Sequence, residues 1–199
     1  LKTELDSTKD IEQFLASQGA GNFYNGYING KTIQIAAKDS IFKTPVGSTY
    51  GPYLDGATYT LAKMTGSKQM PDTVKIRHIL IATMQQNPQT GQFMPVRDSA
   101  SAKKIIDSVQ TAIRNGSNFD SVVVKLSEDP GSKDKGGVYE NVPSGQMTPP
   151  FNDYIFLNPV GTKGVVKTEF GYHYIEILSQ KGGGMGYKIA YLPVNIEVS

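Results

Sequence analysis

The chain has 199 residues, 38% of them hydrophobic, with 21 glycines and 11 prolines, which fits a loop-rich globular protein of one or two domains. Its net charge is +2 with both signs interspersed, which excludes the clustered basic face of a nucleic-acid binder. No apolar run approaches the ~20 residues of a membrane span, and the lack of cysteine excludes disulfides and thiol catalysis without fixing a compartment. The chain begins at Leu1, with neither a Met nor a signal peptide, and is expected to be a fragment of a longer protein.

In chain order, Ser7 is the expected N-cap of a first helix, with Asp10 in the capping-box position. Ile11, Phe14 and Leu15 share its apolar face and Gly19 ends it. Gly21 to Gly30 is rich in Gly, Asn and Tyr and reads as loop. Lys31 to Ala36 alternates with period two and predicts a strand. Asp55-Gly56 predicts a turn before a strand over Thr58–Met64, and Gly66 to Asp72 reads as a polar linker. Val74–Met84 carries apolar residues on both faces, as a central strand does. Asn87 to Arg97 reads as loop. Asp98 caps a predicted helix to Arg114, with Ala102, Ile105, Ile106, Val109 and Ile113 on its core face. Helices over Phe119–Leu126 and Phe151–Leu157 follow, then strands over Gly164–Thr168 and Tyr172–Ser179. A single sheet with helices packed around it results.

The sequence repeats itself. Residues 39–48 (DSIFKTPVGS) and 153–162 (DYIFLNPVGT) both read D-x-I-F-x-x-P-V-G-[ST], 114 residues apart. Each is followed by a Gly-punctuated hairpin. Residues 187–192 (YKIAYL) echo 74–79 (VKIRHI), 113 residues apart, which sets Tyr191 at the place of His78. The register predicts that Leu1–Met64 is the back half of a degenerate copy of the central domain, with Tyr187–Ser199 as its displaced first strand. A common P-V-G turn with chance neighbours is the plainer alternative.

The chain has two histidines, His78 and His173, each within an apolar strand. Buried histidines with satisfied ring nitrogens are one reading. Two histidines without cysteine give too few ligands for a metal site, and no cofactor is implied. No G-x-S-x-G elbow marks a serine nucleophile. Asp129 opens an Asp-Pro-Gly run, and an Asx-type turn is its plain structural role.

A larger pattern gathers these residues. Residues 75–81 (KIRHILI), 127–137 (SEDPGSKDKGG), 145–147 (GQM), Phe151 and 165–178 (VVKTEFGYHYIEIL) stand in one order and spacing over Val74–Gln180. Together they resemble the signature of the parvulin-type peptidyl-prolyl isomerases. The resemblance implies an α+β fold: a four-stranded antiparallel sheet surrounded by helices, here with a smaller added module that reads as a degenerate parvulin-like half. The expected division is residues 1–70 as accessory module and linker, 71–181 as isomerase domain, and 182–199 as linker and returning strand. It also implies that His78 and His173 pair at the base of a proline-binding cleft, joined by Asp129 and Thr168. Met147, Phe151 and Phe170 match the residues that hold the proline ring. Tyr139 stands where a cleft-lining leucine is usual, and residues 138–142 (VYENV) depart from the family pattern. Thr83 to Val96 holds no Lys or Arg, so the basic cluster of the phosphate-selective branch is missing.

Parvulin repeats flanked by extra segments resemble the cell-envelope chaperone-isomerases of bacteria, of the SurA and PpiD type. That comparison implies a periplasmic location and unfolded or proline-containing polypeptide clients, outer-membrane proteins among them. The expected function is isomerisation of X-Pro bonds without covalent chemistry. The alternatives are a silent binding module for extended segments and a structural spacer.

Overall fold

The computed structural model describes residues 1–21 and 23–195. The chain divides into two units, one formed by Leu1–Pro71 with the chain from Gly183 on, the other by Asp72–Gly182. The architecture is mixed α+β, with antiparallel sheets and packed helices.

Two short helices open the first unit, α1 (Lys2–Ser7) and α2 (Ile11–Ser17). Asp10, not Ser7, is the N-cap: its carboxylate accepts the Gln13 N–H at 2.9 Å. Ser7 instead ends α1, its hydroxyl donating back to the Glu4 carbonyl. The segment expected to be loop contains a two-residue strand, β1 (Ile28–Asn29). Lys31–Ala36 is not a strand. The Asn29 side chain accepts from Lys31 N–H and its carbonyl from Thr32, so turn chemistry wins over the alternating pattern. Ile33 and Ile35 still pack inward against the Ile41 cluster, which is why the alternation exists.

The helix α3 (Lys38–Phe42) leads to a hairpin of β2 (Thr49–Asp55) and β3 (Thr58–Met70). β3 runs six residues past the expected end at Met64, through the segment read as a linker. Its polar side chains misled, because the ladder there is a backbone matter.

The second unit begins with β4 (Thr73–Ala82). The expected loop after it folds as a small hairpin, β5 (Met84–Gln86) with β6 (Phe93–Pro95). Asp98 caps α4 (Ser99–Arg114), and Asn118 caps α5 (Phe119–Leu126). Then come β7 (Val138–Pro143), α6 (Pro149–Leu157), β8 (Lys163–Thr168) and β9 (Gly171–Lys181). The chain returns to the first unit as β10 (Gly184–Val194), which pairs with β3. Residues 196–199, assigned from sequence to this strand, lie outside the described residues.

The second sheet has the order β7-β4-β9-β8, antiparallel throughout. Alternation along β4 sends Ile79 and Ile81 into a core with Ala102, Ile106, Val109, Phe119, Val123 and Tyr174, under α4 and α5. His78 and Leu80 therefore face the other side, where α6 packs against β4 and β8.

The first sheet has the order β1-β10-β3-β2. The two sheets share a turn and a register slip. Gly47 N–H donates to Met64 O and Met64 N–H to Ser48 O; Gly161 N–H donates to Ile177 O and Ile177 N–H to Thr162 O. Met64 lies opposite Ile189, as Ile177 lies opposite Ile76. In each ladder the register slips at the same place, between Lys188 and Ile189 and between Lys75 and Ile76. The offsets are those of the sequence repeat.

Gly137 has φ +76°, and a Cβ there would press on the backbone of His78, whose N–H donates to the Gly137 carbonyl at 2.9 Å. Gly116 also has a positive φ, +95°, but open space around its Cβ position. Gly116→Ala should therefore cost only the left-handed strain of about 1–2 kcal/mol. Gly137→Ala should cost roughly 2 kcal/mol more, since a ladder bond is lost as well. Thermal unfolding of the two variants side by side checks this, and equal losses would contradict it.

Candidate functional site

The site is built where β4 and β9 run side by side. Leu80 lies opposite His173 and His78 opposite Ile175, so the two histidines are diagonal neighbours on one face. Their rings stack at 5.4 Å with an interplanar angle of 16°, and their Nδ1 atoms are 3.3 Å apart. His78 and His173 are only 3% and 5% exposed, so every ring nitrogen needs a partner.

Each has one. His173 Nε2 lies 2.8 Å from Thr168 Oγ1, and Thr168 is two residues from Phe170, whose N–H donates to that same oxygen. His78 Nε2 lies 2.9 Å from Asp129 Oδ2 and 3.1 Å from Ser132 Oγ. The Asp129 carboxylate accepts further bonds from the hydroxyls of Ser132 and Tyr139. Proton positions follow from the network. A carboxylate can only accept, so His78 Nε2 donates to Asp129. In the tautomer with both rings neutral, His78 Nδ1 accepts from His173 Nδ1–H and His173 Nε2 accepts from the Thr168 hydroxyl.

Burial, then the neighbouring His78, push His173 down to about 3, with Asp129 opposing. Burial alone would raise the Asp129 carboxyl. Hydrogen bonds from His78 and Ser132, the electrostatic pull of His78 and the Tyr139 bond outweigh it and hold the carboxyl well below the usual range. Burial and the Asp129 charge push the Tyr139 phenol up to about 12, so it stays a donor.

Local sequence explains how Asp129 arrives. After α5 the chain runs back beside β4: Glu128 N–H donates to Leu80 O, and Leu80 N–H to Ser127 Oγ. Glu128 also accepts from Ala82 N–H and is forked by Arg97 at 2.8 and 2.9 Å. Asp129 makes a backbone turn and not the expected Asx-type turn. Its carbonyl accepts from Lys133 N–H in a turn, while its carboxylate faces His78.

Above the network lies an open cleft of about 670 Å³. Phe151 sets its edge on both imidazoles, at 5.4 Å and 84° to His78 and 5.1 Å and 90° to His173. Met147, Phe170 and Tyr139 complete the expected lining. Sequence reasoning missed Ser132, Met84 and Phe93. Ser132 is signalled only by its place three residues after Asp129. Phe93 comes from the β5–β6 hairpin and meets Phe170 ring to ring at 5.3 Å. Among the described residues no group of three or more His, Asp or Glu is placed to hold a metal ion.

Comparison with known proteins identifies the family. Residues 59–181 match the family model described as a PPIC-type PPIASE domain. That span holds all the residues above and reaches back over β3. Chaperone SurA of Pseudomonas fluorescens is 32% identical over 122 residues, 61% of this chain and 26% of that protein. Foldase protein PrsA 4 of Bacillus cereus is 36% identical over 87 residues, 43% of this chain and 30% of that protein. The crystal structure of PrsA from Bacillus anthracis, a peptidylprolyl isomerase, aligns at 27% identity over 56% of this chain and 43% of its own, with a TM-score of 0.43. The chain spans 26% and 30% of the length of these two curated relatives. The chain belongs to the PPIC-type, or parvulin, peptidyl-prolyl isomerase family and is homologous to the SurA and PrsA chaperone-isomerases of bacteria.

Proposed function

We propose that Asp72–Gly182 catalyses cis–trans isomerisation of X-Pro bonds in unfolded polypeptides. The observation that carries this is the hydrogen-bonded network Thr168–His173–His78–Asp129 beneath an apolar cleft. Rotation about an amide is slow because the twisted state loses resonance, a barrier of ~18–20 kcal/mol. Twisting leaves a less conjugated carbonyl and a more basic nitrogen, so fixed dipoles that prefer that state lower the barrier with no bond made. Phe151, Met147 and Phe170 grip the proline ring and exclude water. His78, His173, Asp129 and Thr168 present a rigid polar floor, and Tyr139 and Ser132 hold Asp129 in place.

A second reading is a module that binds without catalysis. The Tyr139 bond favours it, since this chain adds a donor to a carboxylate already engaged by His78 and Ser132. Kinship to the SurA chaperones supports unfolded clients, outer-membrane proteins among them, and a periplasmic location. Cell fractionation tests the location.

We infer further that the first unit is a degenerate parvulin-like half, which the matched backbone bonds of the two sheets support. The functional division is then an accessory module over 1–70, an isomerase domain over 71–181, and a return segment over 182–199. By register, Tyr191 stands for His78, Thr60 for His173 and Asp55 for Thr168. No imidazole pair remains there, so the isomerase reading belongs to the second unit alone.

Isomerisation of short X-Pro peptides tests the proposal. Asp129→Asn keeps shape and removes charge. It should lower kcat by roughly 10- to 100-fold, the worth of a charged hydrogen bond, with KM nearly unchanged. Phe151→Ala should raise KM, and it should lose about 3–5 kcal/mol of stability as a buried aromatic. A wild-type chain with no rate above the spontaneous one, yet binding unfolded polypeptide, would leave the binding reading.

Acid stability follows from the same network. The folded pKa of His173 lies below its ordinary 6.5, so the unfolded chain takes up the proton first. That contribution is whole above pH 6.5 and is lost as pH falls toward 3. Asp129, also depressed, adds stability present above its ordinary 3.8 and lost at lower pH. Unfolding free energy should fall with acid across this window, and His173→Gln should flatten the upper part. An unchanged slope in that variant would contradict the assignment.

A further inference from the structure

We propose that the cleft of the second unit selects X-Pro segments in which a lysine or arginine flanks the proline, its cationic head held by Asp129 Oδ1. The proposal rests on the isomerase reading and names the substrate class of that same site.

The donors to Asp129 are unevenly placed. His78 Nε2, Ser132 Oγ and Tyr139 Oη all meet one oxygen, Oδ2. Among the described residues none donates to Oδ1, and that oxygen is not buried, so it opens on the cleft that Asp129 lines. The carboxylate is held ionised, and an ionised carboxylate accepts at both oxygens. One oxygen is saturated by the protein and the other is left for a donor from outside. Gly131 keeps the approach clear. A side chain there would strike the Tyr139 hydroxyl and stand 3.8 Å from Oδ1. Tyr139, where the family usually has leucine, therefore does more than fill space: its phenol helps to fix which oxygen is turned outward.

The rest of the lining decides what kind of donor fits. Its only acidic or basic side chains besides the histidines are Glu128 and Asp129. Glu128 is matched by the fork of Arg97. Lys133, whose charge reaches Glu128, does not line the cleft. Residues 83–96, which supply the β5–β6 hairpin over the cleft, carry no charge at all. An acidic side chain beside the proline would thus meet Asp129 with no lysine or arginine to offset the repulsion. A basic one would meet attraction, and its methylene stem suits the apolar lining of Met84 and Phe93 while its head reaches the carboxylate.

The test uses the full chain at about pH 8, above the ordinary imidazole range. Six-residue peptides carry arginine, leucine or glutamate immediately before the proline, and a second set carries them immediately after it. NMR follows both binding, through shifts of the cleft residues, and the rate of isomerisation. In at least one set arginine should bind roughly three- to tenfold tighter than leucine, and glutamate more weakly than leucine. The arginine advantage should shrink at high ionic strength. Asp129→Asn should make arginine and leucine bind alike, whatever it does to turnover. Gln85→Lys places a cation on the lining, clear of the hydrogen-bonded network. It should bring arginine below leucine and leave the rate toward the leucine peptide unchanged. Equal binding of arginine and leucine in both sets would overturn the proposal, as would an arginine advantage that survives Asp129→Asn. Selective binding of arginine peptides with no rate above the spontaneous one would uphold the cation site and overturn the isomerase reading. Catalysis without selectivity would do the reverse.

Discussion

Everything at the site depends on the register of β4 against β9. A one-residue slip would send a histidine to the opposite face, under α4 and α5. The register is pinned from several sides. Ile79, Ile81 and Tyr174 fill the helix-covered core. Arg77 stacks on Phe119 at 4.1 Å and pairs with Glu176 on the neighbouring strand at 2.6 Å. Gly171, with φ +143°, brings β9 so close to Ile81 and Ala82 that no side chain fits. Helix packing on one face therefore fixes imidazole geometry on the other.

Burial disfavours the charged form of His173, because a buried cation is costly. The structure keeps charge at one end of the chain of bonds, on Asp129, where three donors and partial exposure compensate it. Each bond holds the next ring in place, so the network is rigid in its atoms. A polar floor of that kind suits a reaction that moves no proton and makes no bond.

The fold of the second unit was legible because its signals are local: the Asp98 cap, the α4 stripe and the apolar strands. The residues that meet at the cleft were legible through family spacing, not through chemistry. Nothing about Met147 or Thr168 alone declares a role. What sequence concealed was set by backbone pairing. Ser67, Lys68 and Gln69 look like linker because their side chains are polar, yet their backbones complete the β3 ladder with β10. Lys31–Ala36 looks like strand because Ile33 and Ile35 face inward, yet Asn29 and Gly30 turn the chain there. Ser132 and Phe93 were invisible because each reaches the site from a loop or hairpin whose path is tertiary.

The two sheets share a backbone pattern but not a polar network. In the second unit each ring nitrogen of the histidine pair has a partner. In the first, the hydroxyls of Thr49 and Tyr53 are buried with no partner among the described residues. Burial and the nearby Asp55 push the Tyr53 phenol far up, and the same causes push Tyr191 up to about 12. An imidazole alone in such a dry site would carry an unsatisfied nitrogen, which costs more than the bond it lacks. The backbone ladder does not depend on those side chains, which is why the same slip and the same turn occur in both sheets despite their different interiors.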